Sequence, residues 1–116
     1  MEDPSKNRPD RRRYERKALR CAAHLLVPGR QPLAVRALDI CPDGMGVVAP
    51  VNIPTSARCV VRFAIPLMPR AGTCVEVQVS VIHSVYSASE DGFRIGLRFT
   101  SLAPEIALAI SQFMKA

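Results

Sequence analysis

The chain of 116 residues has no tryptophan, two tyrosines and four phenylalanines. Such scarcity disfavours single-strand nucleic-acid binding, because small barrels that do this stack bases on aromatic side chains. No apolar run approaches the ~20 residues needed to cross a bilayer as a helix, so no membrane span is expected. The opening MEDPSKNRPD has neither an apolar core nor a small-residue cleavage site and does not read as a secretory signal peptide; a reducing, cytoplasmic setting is expected. Four cysteines, Cys21, Cys41, Cys59 and Cys74, form no C-x-x-C pair, and no histidine stands at metal-ligand spacing from them. A zinc site or disulfide framework is therefore not expected, and reduced, mostly buried thiols are. Also missing is a nucleophile beside a base, or a pair of carboxylates in contrasting environments. His24 and His83 fall in strand-like segments with no serine or aspartate partner in a recognisable motif, which suits structural or surface roles. No catalytic residue and no metal ligand is assigned, and an enzyme is not expected.

What the chain does have is positive charge, unevenly spread. The formal net charge is +6, and residues 1–20 hold Lys6, Arg8, Arg11, Arg12, Arg13, Arg16, Lys17 and Arg20 against Glu2, Asp3, Asp10 and Glu15. Four of the six net charges thus lie in that first stretch. A basic segment of this kind calls for an anionic partner: nucleic acid, a phosphorylated small molecule or an acidic lipid surface. Residues 1–10, rich in charge and proline, are expected to be disordered, leaving 11–116 as a single domain, in keeping with the commonest domain size.

From residue 18 onward the apolar pattern has period two. In TCVEVQVSV, residues 73–81, Val75, Val77, Val79 and Val81 alternate with Glu76, Gln78 and Ser80; this sorting needs a strand with one wet face. FRIGLRF, residues 93–99, sets Phe93, Ile95, Leu97 and Phe99 opposite Arg94, Gly96 and Arg98, and the preceding SASEDG supplies a turn, so the two segments read as a hairpin. Further strands are expected at about 18–26, 33–40, 45–48 and 58–65, bounded by PGRQP, CPDG and PLMPRAG. Six short strands with no intervening helix imply an antiparallel sandwich or a closed barrel, since closure removes exposed edges. At the end, Pro104 suits a first helical turn, Glu105 its positive dipole end, and Ile106, Ile110 and Phe113 share a face. A helix over 104–115 is expected to pack on one barrel opening.

Two segments carry the functional signal. In LDICPDGMG, residues 38–46, Asp39 closes one strand and Pro42, Asp43 and Gly44 turn into the next. By itself this suits an Asx-type turn, with Gly44 and Gly46 relieving backbone angles that other residues avoid. In RRRYER, residues 11–16, Arg12 and Arg16 frame R-x-x-x-R, and Asp39 to Gly44 give D-x-C-x-x-G about two strands later. The pairing resembles the PilZ domain family, whose signature is R-x-x-x-R followed by D/N-x-S-x-x-G. The order of basic arm, first strands, DGMGV, GFRIGLRF and closing helix extends the likeness over nearly the whole chain.

The resemblance implies a six-stranded antiparallel β-barrel, a flexible basic N-terminal arm (11–20), a barrel over 18–99, a C-terminal α-helix (104–115), and a bacterial receptor for the second messenger cyclic di-GMP. Arginine suits that ligand, offering a planar donor fork to phosphate and to guanine O6/N7, and a flat cationic face. By likeness, Arg12 and Arg16 would grip phosphate and guanine with Arg13 and Arg11 assisting, Asp39 would accept from guanine N1–H/N2–H, and Gly44 would let backbone approach the ligand. Cys41 stands where the family pattern has serine. A thiol is a weaker donor and acceptor, which implies a loss of about one net hydrogen bond, ~0.5 to 1.5 kcal/mol. The expected protein is a monomer or weak homodimer that signals by moving its arm and docking to an effector protein. The alternative is an adaptor of the same fold that binds protein and ignores the nucleotide.

Overall fold

The structure is a computed structural model and describes residues 15–67 and 70–116; the expected disordered tail at 1–10, and Arg11, Arg12 and Arg13 of the arm, lie outside the described residues. In chain order come β1 (Lys17–Leu26), β2 (Leu33–Cys41), β3 (Gly44–Ala49), β4 (Arg58–Leu67), β5 (Arg70–Ser87), β6 (Gly92–Ser101) and helix α1 (Pro104–Lys115). Every pairing is antiparallel, and the strands close in the order β1-β2-β3-β6-β5-β4. Of the two all-β expectations the barrel is therefore the one realised. Its seam is short: β1 meets β4 only through His24, Leu25 and Leu26 against Arg62, Val61 and Val60.

Alternation, interrupted at a few register slips, builds the interior. Leu25, Ile40, Met45, Val47, Val61, Ile65, Val79, Ile95 and Leu97 are all buried, and no polar or charged residue is buried among those described. Each such side chain contributes ~1.5 to 3 kcal/mol by leaving water. The cluster is continuous from Leu19 on β1 to Phe113 on α1.

Helix α1 starts with Pro104 in its first turn and buries Ile110 and Phe113, with Ile106 half-buried against the core; it packs on β4. Its other end is tied to the start of the barrel. Lys17 Nζ donates to the backbone oxygens of Phe113 and Ala116, at 2.8 Å each, and lies 4.4 Å from the centre of the Phe113 ring. A cation at a helix C-terminus answers both the free carbonyls and the negative end of the dipole.

Two expectations about strand bounds need correction. Strand β5 does not stop at Val81 but runs on to Ser87, because the alternation breaks at one inserted residue and then resumes. Asp39 does not end its strand, since β2 continues through Cys41. Among the four free thiols, Cys41 and Cys59 are buried and Cys21 is half-buried, but Cys74 is exposed, as its place on the wet side of β5 beside Glu76 and Gln78 requires.

Candidate ligand-binding site

Two irregularities shape the outer wall of the barrel. On β2 the register slips between Ala37 and Asp39, leaving Leu38 as an extra residue. Ala37 faces inward opposite Val47; Asp39, which strict alternation would also turn inward, faces outward opposite Gly46. On β5 the slip falls between Val81 and His83: Val81 faces inward opposite Leu97, while His83 faces outward opposite Gly96. Re-aiming a side chain is a common use of such bulges. Because Gly46 and Gly96 are partners across β3 and β6, a single row across four strands reads Asp39, Gly46, Gly96, His83. The next row toward the Pro42–Asp43 turn reads Cys41, Gly44, Arg98, Ser80 and, on β4, Arg58.

The glycines in these rows supply room, not unusual backbone angles. Among the described glycines only Gly29 has a positive φ, of 80°, so the expectation of forbidden angles at Gly44 and Gly46 does not hold. A Cβ on Gly46 would stand 2.9 Å from Asp39 Oδ1, and one on Gly96 would run into the His83 ring. At Gly44 the obstacle is backbone: a Cβ there would collide with the Leu97 carbonyl oxygen and lie 3.1 Å from Arg98 Cα. Gly44 is thus demanded by the close pairing of β3 with β6.

Arg16 immediately precedes β1, and its Nη1 donates to Asp39 Oδ1 at 3.0 Å, with the two side chains 22% and 27% exposed. A half-exposed pair of this type adds little stability, ~0.2 to 1 kcal/mol. Its consequence is positional: a guanidinium and a carboxylate are held together at the edge of a glycine-floored row. A carboxylate has about four lone-pair sites, so one bond from Arg16 leaves Asp39 able to accept more. Neighbouring side chains on an extended chain point to opposite sides, so Arg16 reaches the outer wall while Lys17 reaches α1.

Of the residues expected to bind ligand, the structure brings Arg16 and Asp39 into contact and sets Cys41 and Gly44 opposite each other one row on. Cys41 is 3% exposed, which leaves its thiol little surface to offer a ligand. Arg98, Gly46 and Gly96 were not among the expected site residues. Arg98 and Gly96 stand on the polar side of FRIGLRF, but no local pattern shows that β6 lies next to β3.

The surroundings are basic. Arg98 and Arg58 flank Ser80 on exposed positions, and Arg94 lies one row beyond Gly96. Arg36, also on this wall, is 3.6 Å from Glu90. An open cleft of 480 Å³ runs from the Pro42–Asp43 turn past Arg98 to Leu102, within the ~300 to 1,000 Å³ range of small-molecule sites. The thiols take no part in this charge pattern: burial pushes Cys59 above the ordinary thiol range, partly offset by Arg30, and burial raises Cys21 likewise against a backbone hydrogen bond at Ala64.

A closed six-stranded antiparallel barrel with a C-terminal helix packed on it, and a basic lead-in residue paired to a carboxylate on its outer wall, defines the chain as a small all-β barrel module. The profile of the PilZ domain matches residues 10–116, and the chain belongs to the PilZ domain family. No curated protein sequence matches it. Among solved structures, the Bacillus subtilis inhibitor of motility MotI/DgrA superposes with a TM-score of 0.77 at 12% identity, over 90% of this chain and 50% of that one. The PilZ domain of YcgR from Escherichia coli, solved with c-di-GMP, gives 0.67 at 17% identity over 90% and 89% of the two chains. The K. pneumonia MrkH–c-di-GMP complex gives 0.69 at 13% identity, over 90% and 51%. The chain spans about half the length of MotI/DgrA and of MrkH. At these identities the shared property is the fold.

Proposed function

We propose that this chain is a non-catalytic receptor for cyclic di-GMP, in which Arg16 and Asp39 form the described part of the nucleotide site. The observation that carries the reading is the Arg16–Asp39 pair, 3.0 Å apart on the outer wall, where both halves of the PilZ signature meet. It is supported by membership of the family and by the same fold in YcgR and MrkH, both solved with c-di-GMP.

The chemistry follows from the groups. Asp39 accepts from guanine N1–H and N2–H, and Arg16 exchanges part of its bond to Asp39 for the phosphate or the guanine O6/N7 edge, where its planar fork binds in two places. Arg98, exposed over Gly44, adds positive charge beside the site. Arg12, with Arg13 and Arg11, completes the grip from the arm. Arm closure over the ligand then presents or hides a surface read by an effector protein.

The test is a calorimetric titration of cyclic di-GMP into the parent protein and into Arg16→Ala, Arg12→Ala and Asp39→Ala. Saturable heat in the parent and a loss of about tenfold or more in each variant are expected, since charged hydrogen bonds contribute ~1.5 to 3 kcal/mol each. No heat in the parent sinks the receptor reading. A second reading, a protein-binding adaptor that ignores the nucleotide, draws on the buried Cys41 in the serine position; it predicts that silent titration together with a partner captured equally with and without cyclic di-GMP.

A further inference from the structure

We infer that His83 is a further ligand-binding residue, its imidazole donating Nε2–H to guanine O6 while Asp39 accepts from N1–H and N2–H of the same base. The inference rests on the nucleotide reading above and adds to it a residue outside both signature motifs.

Three observations carry it. The first is the bulge at Ile82, which turns His83 outward when the preceding alternation, Val75, Val77, Val79 and Val81, would turn it inward. A bulge on β2 does the same for Asp39, so two separate strands break their regular pattern to bring two polar groups into one row. Second, the ring lies down across its neighbour. The atoms nearest a Cβ built on Gly96 are Nε2, then Cδ2 at 2.8 Å and Cε1 at 2.9 Å: the tip of the imidazole covers Gly96. It points across β6 toward Gly46, over which Asp39 Oδ1 lies from the other side. Third, the histidine is exposed, and no hydrogen bond to its ring is made by the described residues.

The spacing fits one edge of one base. Side-chain positions directly opposite each other on paired strands are ~4.5 to 5.5 Å apart, and the tips of Asp39 and His83 occupy two such positions, above Gly46 and Gly96. On guanine, O6 adjoins N1–H, and N2–H follows, so an acceptor for the two N–H groups and a donor for O6 must stand side by side. Adenine presents an N6–H₂ donor where guanine has the O6 acceptor. A donor fixed at this place therefore favours guanine over adenine. Gly46 and Gly96 make the arrangement possible, since a methyl group at either would lift the carboxylate or the ring off the wall.

The test titrates cyclic di-GMP and cyclic di-AMP into the parent, His83→Phe, His83→Gln and, as control, His24→Ala. Removing one hydrogen bond by His83→Phe is expected to weaken cyclic di-GMP about threefold to tenfold and to narrow the preference over cyclic di-AMP. His83→Gln, which keeps a donor, should retain more affinity than His83→Phe, and His24→Ala should match the parent. In ¹⁵N spectra the His83 imidazole signal should move on addition of cyclic di-GMP while that of His24 stays. Equal affinities for the parent and His83→Phe, or a stationary His83 signal, alongside a loss in Asp39→Ala, would overturn the role of His83 and leave the receptor reading standing. A parent protein that takes up no cyclic di-GMP overturns both.

Discussion

Strand β5 has two halves that obey different rules. From Val75 to Val81 every second residue enters the core, and the strand does little but hold the barrel together. Beyond the slip at Ile82 the alternation is reset: His83 faces outward over Gly96, Val85 faces outward beside Arg94, and Tyr86 meets Phe93 edge to face with ring centres 5.6 Å apart. Regular sequence makes the core, and the interruption makes the wall that a ligand can reach. Strand β2 repeats the lesson, with Val35 and Ala37 inside and, past Leu38, Asp39 outside.

The contrast between inner and outer faces can be broken most severely from within. Leu97, fully buried on β6, should cost ~2 to 5 kcal/mol when changed to alanine, read as a lower urea midpoint. His83→Ala on the facing strand should stay within about 0.5 kcal/mol of the parent. Next comes the pair of glycines on β3. Gly44→Ala drives a methyl into the Leu97 carbonyl and must part β3 from β6, at ~1 to 3 kcal/mol. Gly46→Ala meets only the end of the Asp39 side chain, so the melting temperature should barely change while cyclic di-GMP affinity falls.

A smaller effect is expected at the other face of the arm. Lys17→Met removes the bonds to the backbone oxygens of Phe113 and Ala116 and should cost about 1 kcal/mol in thermal unfolding, with none of the loss of cyclic di-GMP affinity expected of Arg16→Ala. Cys41→Ser should leave cyclic di-GMP affinity unchanged, because the side chain is buried; a gain of up to about tenfold would show that the hydroxyl bonds the base. The mildest probe is chemical. With a thiol reagent in the native state, Cys74 should react first and the buried Cys41 and Cys59 last, because burial hides both sulfurs and also raises the Cys59 pKa.

Much of the barrel is legible from the chain, since an apolar residue at every second position has only one way to bury itself. Val75 to Val81 and Phe93 to Phe99 announce their faces, and Ile106, Ile110 and Phe113 announce the helix. The bulges are less visible, because Leu38 and Ile82 are ordinary apolar residues and nothing local marks them as extra. That is why β5 reads as ending at Val81. Of the site, the spacing of Arg16 and Asp39 is legible through the family signature, and the β5–β6 hairpin through its alternation and turn, whereas the pairing of β6 with β3 and the slip that turns His83 outward are revealed by no local pattern. The glycines at 44 and 46 are legible as glycines, but their reason is found only in what faces them: a carbonyl on β6 for one and a carboxylate on β2 for the other.

The sequence by itself determined six strands, a basic lead-in and a closing helix, because periodicity and charge are local properties of a chain. The tertiary structure alone decided that Asp39, Gly46, Gly96 and His83 share one row. Their meeting depends on the order in which the strands close and on two single-residue slips of register, and both are settled by packing between segments that lie far apart in the chain.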